Sequence, residues 1–234
     1  MKILALEFSS PQRSVAVVQA EVCPGRETGD ARRGQGATVS EVIETGAGGS
    51  QALGMIGEAL REGQVEREQV ECLAIGIGPG SYTGIRSAIA LAQGWQLASR
   101  PGGIRLLGVS SAECLAAQAH AEGLKGRVTV VIDAQREEFY LAGYDLSAEG
   151  RREIEPLRLG TLRDAQARQT AGDIIVGPEV TKWLPSGRVI FPRAAALGEL
   201  ALGRTDFVAA EELAPIYLRE TRFVKAPPPR ALPQ

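Results

Sequence analysis

The stretch Gly76-Ile77-Gly78-Pro79-Gly80-Ser81-Tyr82-Thr83-Gly84-Ile85-Arg86 follows a short apolar run, Cys72-Leu73-Ala74-Ile75, and leads directly into a helix-forming segment that reaches Ala98. A continuous apolar run between turn formers predicts a strand buried on both faces, here Cys72 to Gly78. Residues 84–98 then predict a helix about 22 Å long, at ~1.5 Å per residue. Its apolar and small residues run almost all round, as in a helix packed on more than one side.

A glycine-rich turn between a strand and a helix gathers free N–H groups and the positive end of the helix dipole at one point. Ser81 and Thr83 add hydroxyls there, and the glycines permit positive φ and close approach. Gly78, Gly80, Ser81, Thr83 and Gly84 are therefore candidates for holding a phosphate. The spacing matches neither the P-loop, which needs a following Lys-Ser/Thr pair, nor the dinucleotide pattern G-x-G-x-x-G. The same residues also fit a plainer role, a tight Gly-Pro-Gly turn with Ser81 or Thr83 capping the helix.

Upstream, Lys2 to Phe8 and Ser14 to Ala20 read as two strands joined by Ser9-Ser10-Pro11-Gln12-Arg13, a hairpin with a polar tip. Ser9 and Ser10 make that tip a second loop that could face phosphate. Glu7, at the end of the first strand, could hold a metal-bound water or serve as an interface carboxylate. Residues 24–37, rich in glycine and charge, predict an exposed loop. A third strand follows over 38–45, and Leu53, Ile56 and Leu60 place an amphipathic helix over 50–63.

Downstream, strand-like runs at 104–109, 128–133, 139–146 and 173–177 alternate with helical segments at 110–121 and 193–203. Hairpins together with crossover helices imply an α/β protein with mixed sheets flanked by helices. Arg100-Pro101-Gly102-Gly103 is the best subdomain boundary, giving 1–103 and 104–218, with a flexible tail over 219–234 whose proline run ends regular structure.

Hydrophobic residues make up 44% of the 234 residues and charged residues 23%, ordinary globular proportions without an apolar run long enough to span a bilayer. The first residues read as a strand rather than a secretory signal, so a cytoplasmic protein is expected. A net charge of -2 lacks the positive excess of a direct nucleic-acid binder. Cys23, Cys72 and Cys114 lack paired spacing and read as reduced, structural thiols. His120, the only histidine, lies near a helix C-terminus and forms no catalytic or metal constellation.

Residues 3–18, ILALEFSSPQRSVAVV, and residues 75–94, IGIGPGSYTGIRSAIALAQG, resemble the two hallmark blocks of the TsaB (YeaZ) family. GVSSAECLA from Gly108, VIDAQREEFYLAGY from Val131 and APIYLRE from Ala214 extend the resemblance over nearly the whole chain. It implies an actin-like (ASKHA, RNase H-like) fold of two subdomains, in which nucleotide commonly binds between them. It also implies a non-catalytic subunit in the formation of N6-threonylcarbamoyladenosine on tRNA, a paralogue of the catalytic TsaD subunit. TsaD binds its metal through His-x-x-x-His just after the strand that follows the glycine-rich helix. Ser111 and Leu115 stand at the matching places, and leucine cannot ligate a metal, so no metal site and no catalytic residue are expected.

The family's first strand usually ends in Asp-Thr-Ser, whereas this one ends in Glu7-Phe8-Ser9, which weighs against nucleotide or magnesium binding within this chain. Gly49-Ser50 likewise replaces the His-Ser often found at the start of the first helix. No intrinsic cofactor is expected, and ATP or ADP with magnesium could instead sit at a subunit interface. The resemblance implies pairing with TsaD through the helices at 50–63 and 84–98, with Leu53, Ile56, Leu60, Ile85, Ile89 and Ala92 as candidate contacts. A TsaE-type ATPase is the further partner, a homodimer could form through the same face, and tRNA contact would be indirect. The competing function is an autonomous actin-like ATPase or phosphotransferase using the same two loops.

Overall fold

The computed structural model describes residues 1–20, 37–46, 51–100 and 103–219. The loop expected over 24–37, apart from Ala37, and most of the tail expected over 219–234 lie outside these residues, as do Cys23 and Gly49-Ser50.

The first sheet has the order β3-β2-β1-β4-β5, built from β1 (Lys2–Glu7), β2 (Gln12–Ala20), β3 (Ala37–Thr45), β4 (Cys72–Gly76) and β5 (Arg105–Val109). The two hairpin pairs are antiparallel, while β1, β4 and β5 run parallel. Helix α1 (Ala52–Glu62) connects β3 to β4, and α2 (Tyr82–Ala98) connects β4 to β5. Alternation along β1 shows how the sheet is buried on both faces. Leu4 and Leu6 meet Ile56, Ala59, Ile85 and Ile89 of α1 and α2, whereas Ile3 and Ala5 meet Ala194, Leu197 and Ala201 of α5 (Ala194–Ala201).

The second sheet repeats that plan, in the order β10-β9-β6-β7-β8. Its strands are β6 (Gly126–Asp133), β7 (Glu138–Ser147), β8 (Gly150–Thr161), β9 (Ile174–Gly177) and β10 (Arg188–Val189). Again three consecutive strands form an antiparallel meander and two further strands add in parallel to the first of them. Helix α3 (Ser111–Ala121) covers one face with Ala112, Leu115, Ala116 and Ala119, and α4 (Leu162–Thr170) covers the other with Ala165.

The boundary expected after residue 103 is corrected by the pairing of β5 with β4, which carries the first sheet through Val109. Helix α5 also returns to this first sheet. Its Gly198 lets it sit close, since a Cβ there would fall 2.5 Å from Val18 Cγ2. The second subdomain is thus an insertion bounded by α3 and α5, not the whole of 104–218. Strand β8 and helix α4 were not expected. Residues 150–161 are mostly charged or half-exposed, so the apolar alternation that marks a strand is absent from them.

Candidate functional site

Two turns at the end of the first sheet lock into each other. The glycine-rich turn contains a cis Gly78-Pro79 bond, with φ of +88° at Gly78 and +147° at Gly80. Ser81 N–H donates to the Ser9 carbonyl at 2.7 Å, and Ser111 N–H donates to the Gly78 carbonyl at 2.7 Å. A Cβ on Gly80 would meet the Ser9 carbonyl oxygen at 2.1 Å, and one on Gly84 would meet that of Phe8 at 1.9 Å. These glycines are therefore needed for backbone-to-backbone approach within the protein.

The capping reading holds for Ser81, the N-cap of α2, whose Oγ accepts from Gly84 N–H at 3.3 Å. Two N–H groups that a phosphate would need, those of Ser81 and Gly84, are thereby engaged. Of the eight residues proposed for phosphate or nucleotide, Ser9, Ser10, Gly80 and Ser81 line the cleft between the subdomains, while Glu7, Gly78, Thr83 and Gly84 do not.

Glu7 is fully buried. Its Oε1 accepts from Ser9 N–H at 2.7 Å and its Oε2 from the Ser111 hydroxyl at 2.9 Å. Burial pushes its carboxyl above the usual range, and the hydrogen bonds from Ser9 and Ser111 oppose that shift. An enclosed carboxylate with both oxygens engaged does not fit a magnesium ligand facing the cleft, which corrects the metal-bound water as a role for Glu7. Asp133, which does line the cleft, accepts from Gln135 N–H at 2.7 Å and from its amide Nε2 at 2.8 Å. Among the described residues no three His, Cys, Asp or Glu side chains gather where a metal ion could be held. Leu115 is buried against the second sheet, and the His120 ring pairs through Nε2 with the Ser147 carbonyl at 2.8 Å.

The cleft itself has a volume of about 1640 Å³. Tyr82 and Ile85 line it from the first subdomain, Tyr140 and Trp183 from the second, and Tyr217 and Arg219 from the segment after α5. Neither Trp183 nor Tyr140 is singled out by the sequence: Trp183 lies in no motif, and Tyr140 falls within the block from Val131 without a side chain that marks it as cleft-lining. Trp183 is fixed edge-on to Phe139, ring centroids 5.1 Å apart.

A second candidate surface lies on the outer side of α1 and α2. Ile56, Ile85, Ile89 and Ala92, expected to meet a partner, are buried under these helices against their own sheet. The correction follows from helical geometry, since the apolar stripe is the side the sheet has already taken. Leu60 packs on the same core while partly buried. Leu53 remains available at 72% exposed, and Leu97, not singled out from the sequence, at 87%. Gly54, Gly57, Ala90 and Gly94 are exposed on the same two helices. None of the described helices is long and apolar enough to cross a membrane.

Two five-stranded mixed sheets of like topology around an inter-subdomain cleft define a two-subdomain protein of the actin-like class. Residues 49–208 match the family model of TsaD, tRNA N6-adenosine threonylcarbamoyltransferase. The chain belongs to this family, in its TsaB (YeaZ) branch. The TsaB protein of Escherichia coli K12, described as a tRNA threonylcarbamoyladenosine biosynthesis protein, is 27% identical over 245 residues. That alignment covers 94% of this chain and 95% of the relative. The TsaB protein of Haemophilus influenzae is 28% identical over 142 residues, covering 61% and 53% of the two chains. The solved structure of YeaZ from Pseudomonas aeruginosa superposes with a TM-score of 0.71 at 25% identity, covering 93% of this chain and 99% of the other.

Proposed function

We propose that this protein is the non-catalytic partner of a TsaD-type catalytic subunit in the formation of N6-threonylcarbamoyladenosine on tRNA. The observation that carries the reading is the place on α3 where the catalytic paralogue is expected to bind its metal. Ser111 there is committed to Glu7, and Leu115 is buried against the second sheet. The names of its relatives put it in the same biosynthesis.

The partner docks on the outer side of α1 and α2, around Leu53 and Leu97. Exposed glycine and alanine on both helices favour close helix approach, and a specific interface there would bury on the order of 1,600 Å² in total. The same face can pair with a second copy when the partner is absent. ATP or ADP with magnesium is held at the junction of subunits rather than by this chain alone, where a TsaE-type ATPase also docks. The work is cytoplasmic, and tRNA is gripped by other subunits. Reconstitution tests this reading: the catalytic subunit should form the modified adenosine on tRNA only when this chain is added, and this chain alone should form none. Modification of tRNA or brisk ATP hydrolysis by the isolated chain would contradict it.

A further inference from the structure

Two sequence blocks that partner binding leaves unexplained, residues 131–144 and 214–219, meet at the mouth of the cleft. After α5 the chain first returns to the first subdomain. Val208 N–H donates to the Leu106 carbonyl at 2.9 Å, and Gln93 Nε2 donates to that of Ala210 at 2.8 Å. Leu213 is buried in the core beneath α1 and α2. Ile216 N–H then donates to the Ile77 carbonyl at 2.9 Å, and the Tyr217 ring lies 6.0 Å from that of Tyr82.

Arg219, three residues further on, reaches the other subdomain. Its Nη2 donates to the carbonyls of Ala134 at 2.9 Å and Gln135 at 3.1 Å, and its Nε donates to Glu138 Oε2 at 3.1 Å. The turn it grips, between β6 and β7, has Gln135, Arg136 and Glu137 at φ of +62°, +59° and +63°. Three consecutive non-glycine residues in the left-handed region persist only where surrounding contacts hold them. Asp133 holds this turn from inside and Arg219 from across the cleft.

We propose that residues 213–219 form a clasp across the mouth of the cleft, with the Arg219–Glu138 ion pair as its catch. Anchored in the first subdomain by Leu213 and Ile216 and in the second by Arg219, the segment fixes how far the two sheets stand apart. The catch is releasable, because Arg219 and Glu138 are 32% and 44% exposed and a half-exposed ion pair is weak and screened by salt. Opening it frees the strained turn and widens the cleft.

The test compares the full chain with Arg219→Lys, Arg219→Ala and Glu138→Gln, each checked for native folding by circular dichroism. Spin labels at Thr83→Cys in the first subdomain and Arg163→Cys in the second, in a Cys23→Ser background, report the distance between subdomains. Amide exchange reports the turn at 134–138 and the Ile216 N–H. Arg219→Ala and Glu138→Gln should both broaden the distance distribution and speed exchange at the turn by about tenfold, with Arg219→Lys intermediate. Raising the salt concentration should move the wild type in the same direction. An unchanged distance distribution in folded Arg219→Ala would overturn the clasp, and an effect in Arg219→Ala with none in Glu138→Gln would overturn the ion pair as its catch.

Discussion

The Ser111 hydroxyl donates to Glu7 Oε2 at 2.9 Å across a sequence separation of 104 residues, joining the end of the first strand to the first residue of α3. Space for that carboxylate is made by Gly76, where a Cβ would fall 2.2 Å from Glu7 Oε2. Ser111 thus ties the end of the first sheet to the helix that covers the second. Glu7 thereby becomes a buried structural acceptor.

Glu7 should leave a signature in the pH dependence of stability. Burial raises its folded pKa above the ordinary value of 4.5, so the folded state holds the proton more tightly than the unfolded chain. The cost of burying Glu7 is absent below about pH 4.5 and grows as the pH rises from there through the raised folded pKa. Glu7→Gln keeps an acceptor for Ser9 N–H and can donate to Ser111. Its stability relative to wild type, measured by urea unfolding, should therefore increase between pH 4 and pH 8. A difference independent of pH would count against a raised folded pKa.

Two glycines of α2 should respond to alanine with opposite signs. Intrinsic helix propensity favours alanine over glycine by about 1 kcal/mol at both sites. Nothing lies within 4 Å of a Cβ on Gly94, so Gly94→Ala should stabilise the isolated chain by roughly 0.5–1 kcal/mol. Gly84→Ala meets the Phe8 carbonyl and should cost about 1–3 kcal/mol or more. Thermal unfolding of both variants checks the contrast.

Much of this architecture is legible in the sequence, and the losses have physical causes. The run from Cys72 into α2 is apolar on all sides because its strand is buried on both faces, so it stands out without tertiary information. Strand β8 escapes notice because it is an edge strand that buries none of its side chains and mixes charged with apolar ones. At the glycine-rich turn, composition alone cannot separate a phosphate cradle from a close backbone crossing, since both require residues without a Cβ. The approach of Gly80 and Gly84 to Ser9 and Phe8 becomes visible only when both turns are placed. Four of the six residues read as partner contacts, Ile56, Ile85, Ile89 and Ala92, are taken up by their own sheet for a similar reason, since an apolar stripe marks what is buried without saying by what. Arg219 was assigned to a flexible tail, since nothing in a single sequence pairs it with Glu138.

The cysteines give a chemical check on the core. Cys72 and Cys114 are buried free thiols, and burial pushes the Cys72 pKa up to about 11 and that of Cys114 well above its ordinary value. A protonated, enclosed thiol is a poor nucleophile. Of the three cysteines in the chain, no more than Cys23 should react quickly with a thiol reagent under native conditions, and all three should react in denaturant. Rapid native labelling of Cys72 or Cys114 would show that the packing around β4 or α3 opens.

The most direct measurement is light scattering on a size-exclusion column of this chain mixed with its TsaD-type partner, for wild type, Leu53→Glu and Leu97→Glu. Leu53 and Leu97 are exposed on the outer side of α1 and α2, so neither substitution should disturb the isolated fold by more than about 0.5 kcal/mol. The wild-type chain should co-elute with the partner as a heterodimer, and each glutamate should weaken that complex at least about tenfold. A complex that forms equally well with both glutamates present would contradict docking through this face, and no complex with the wild-type chain would contradict the partner-subunit account itself.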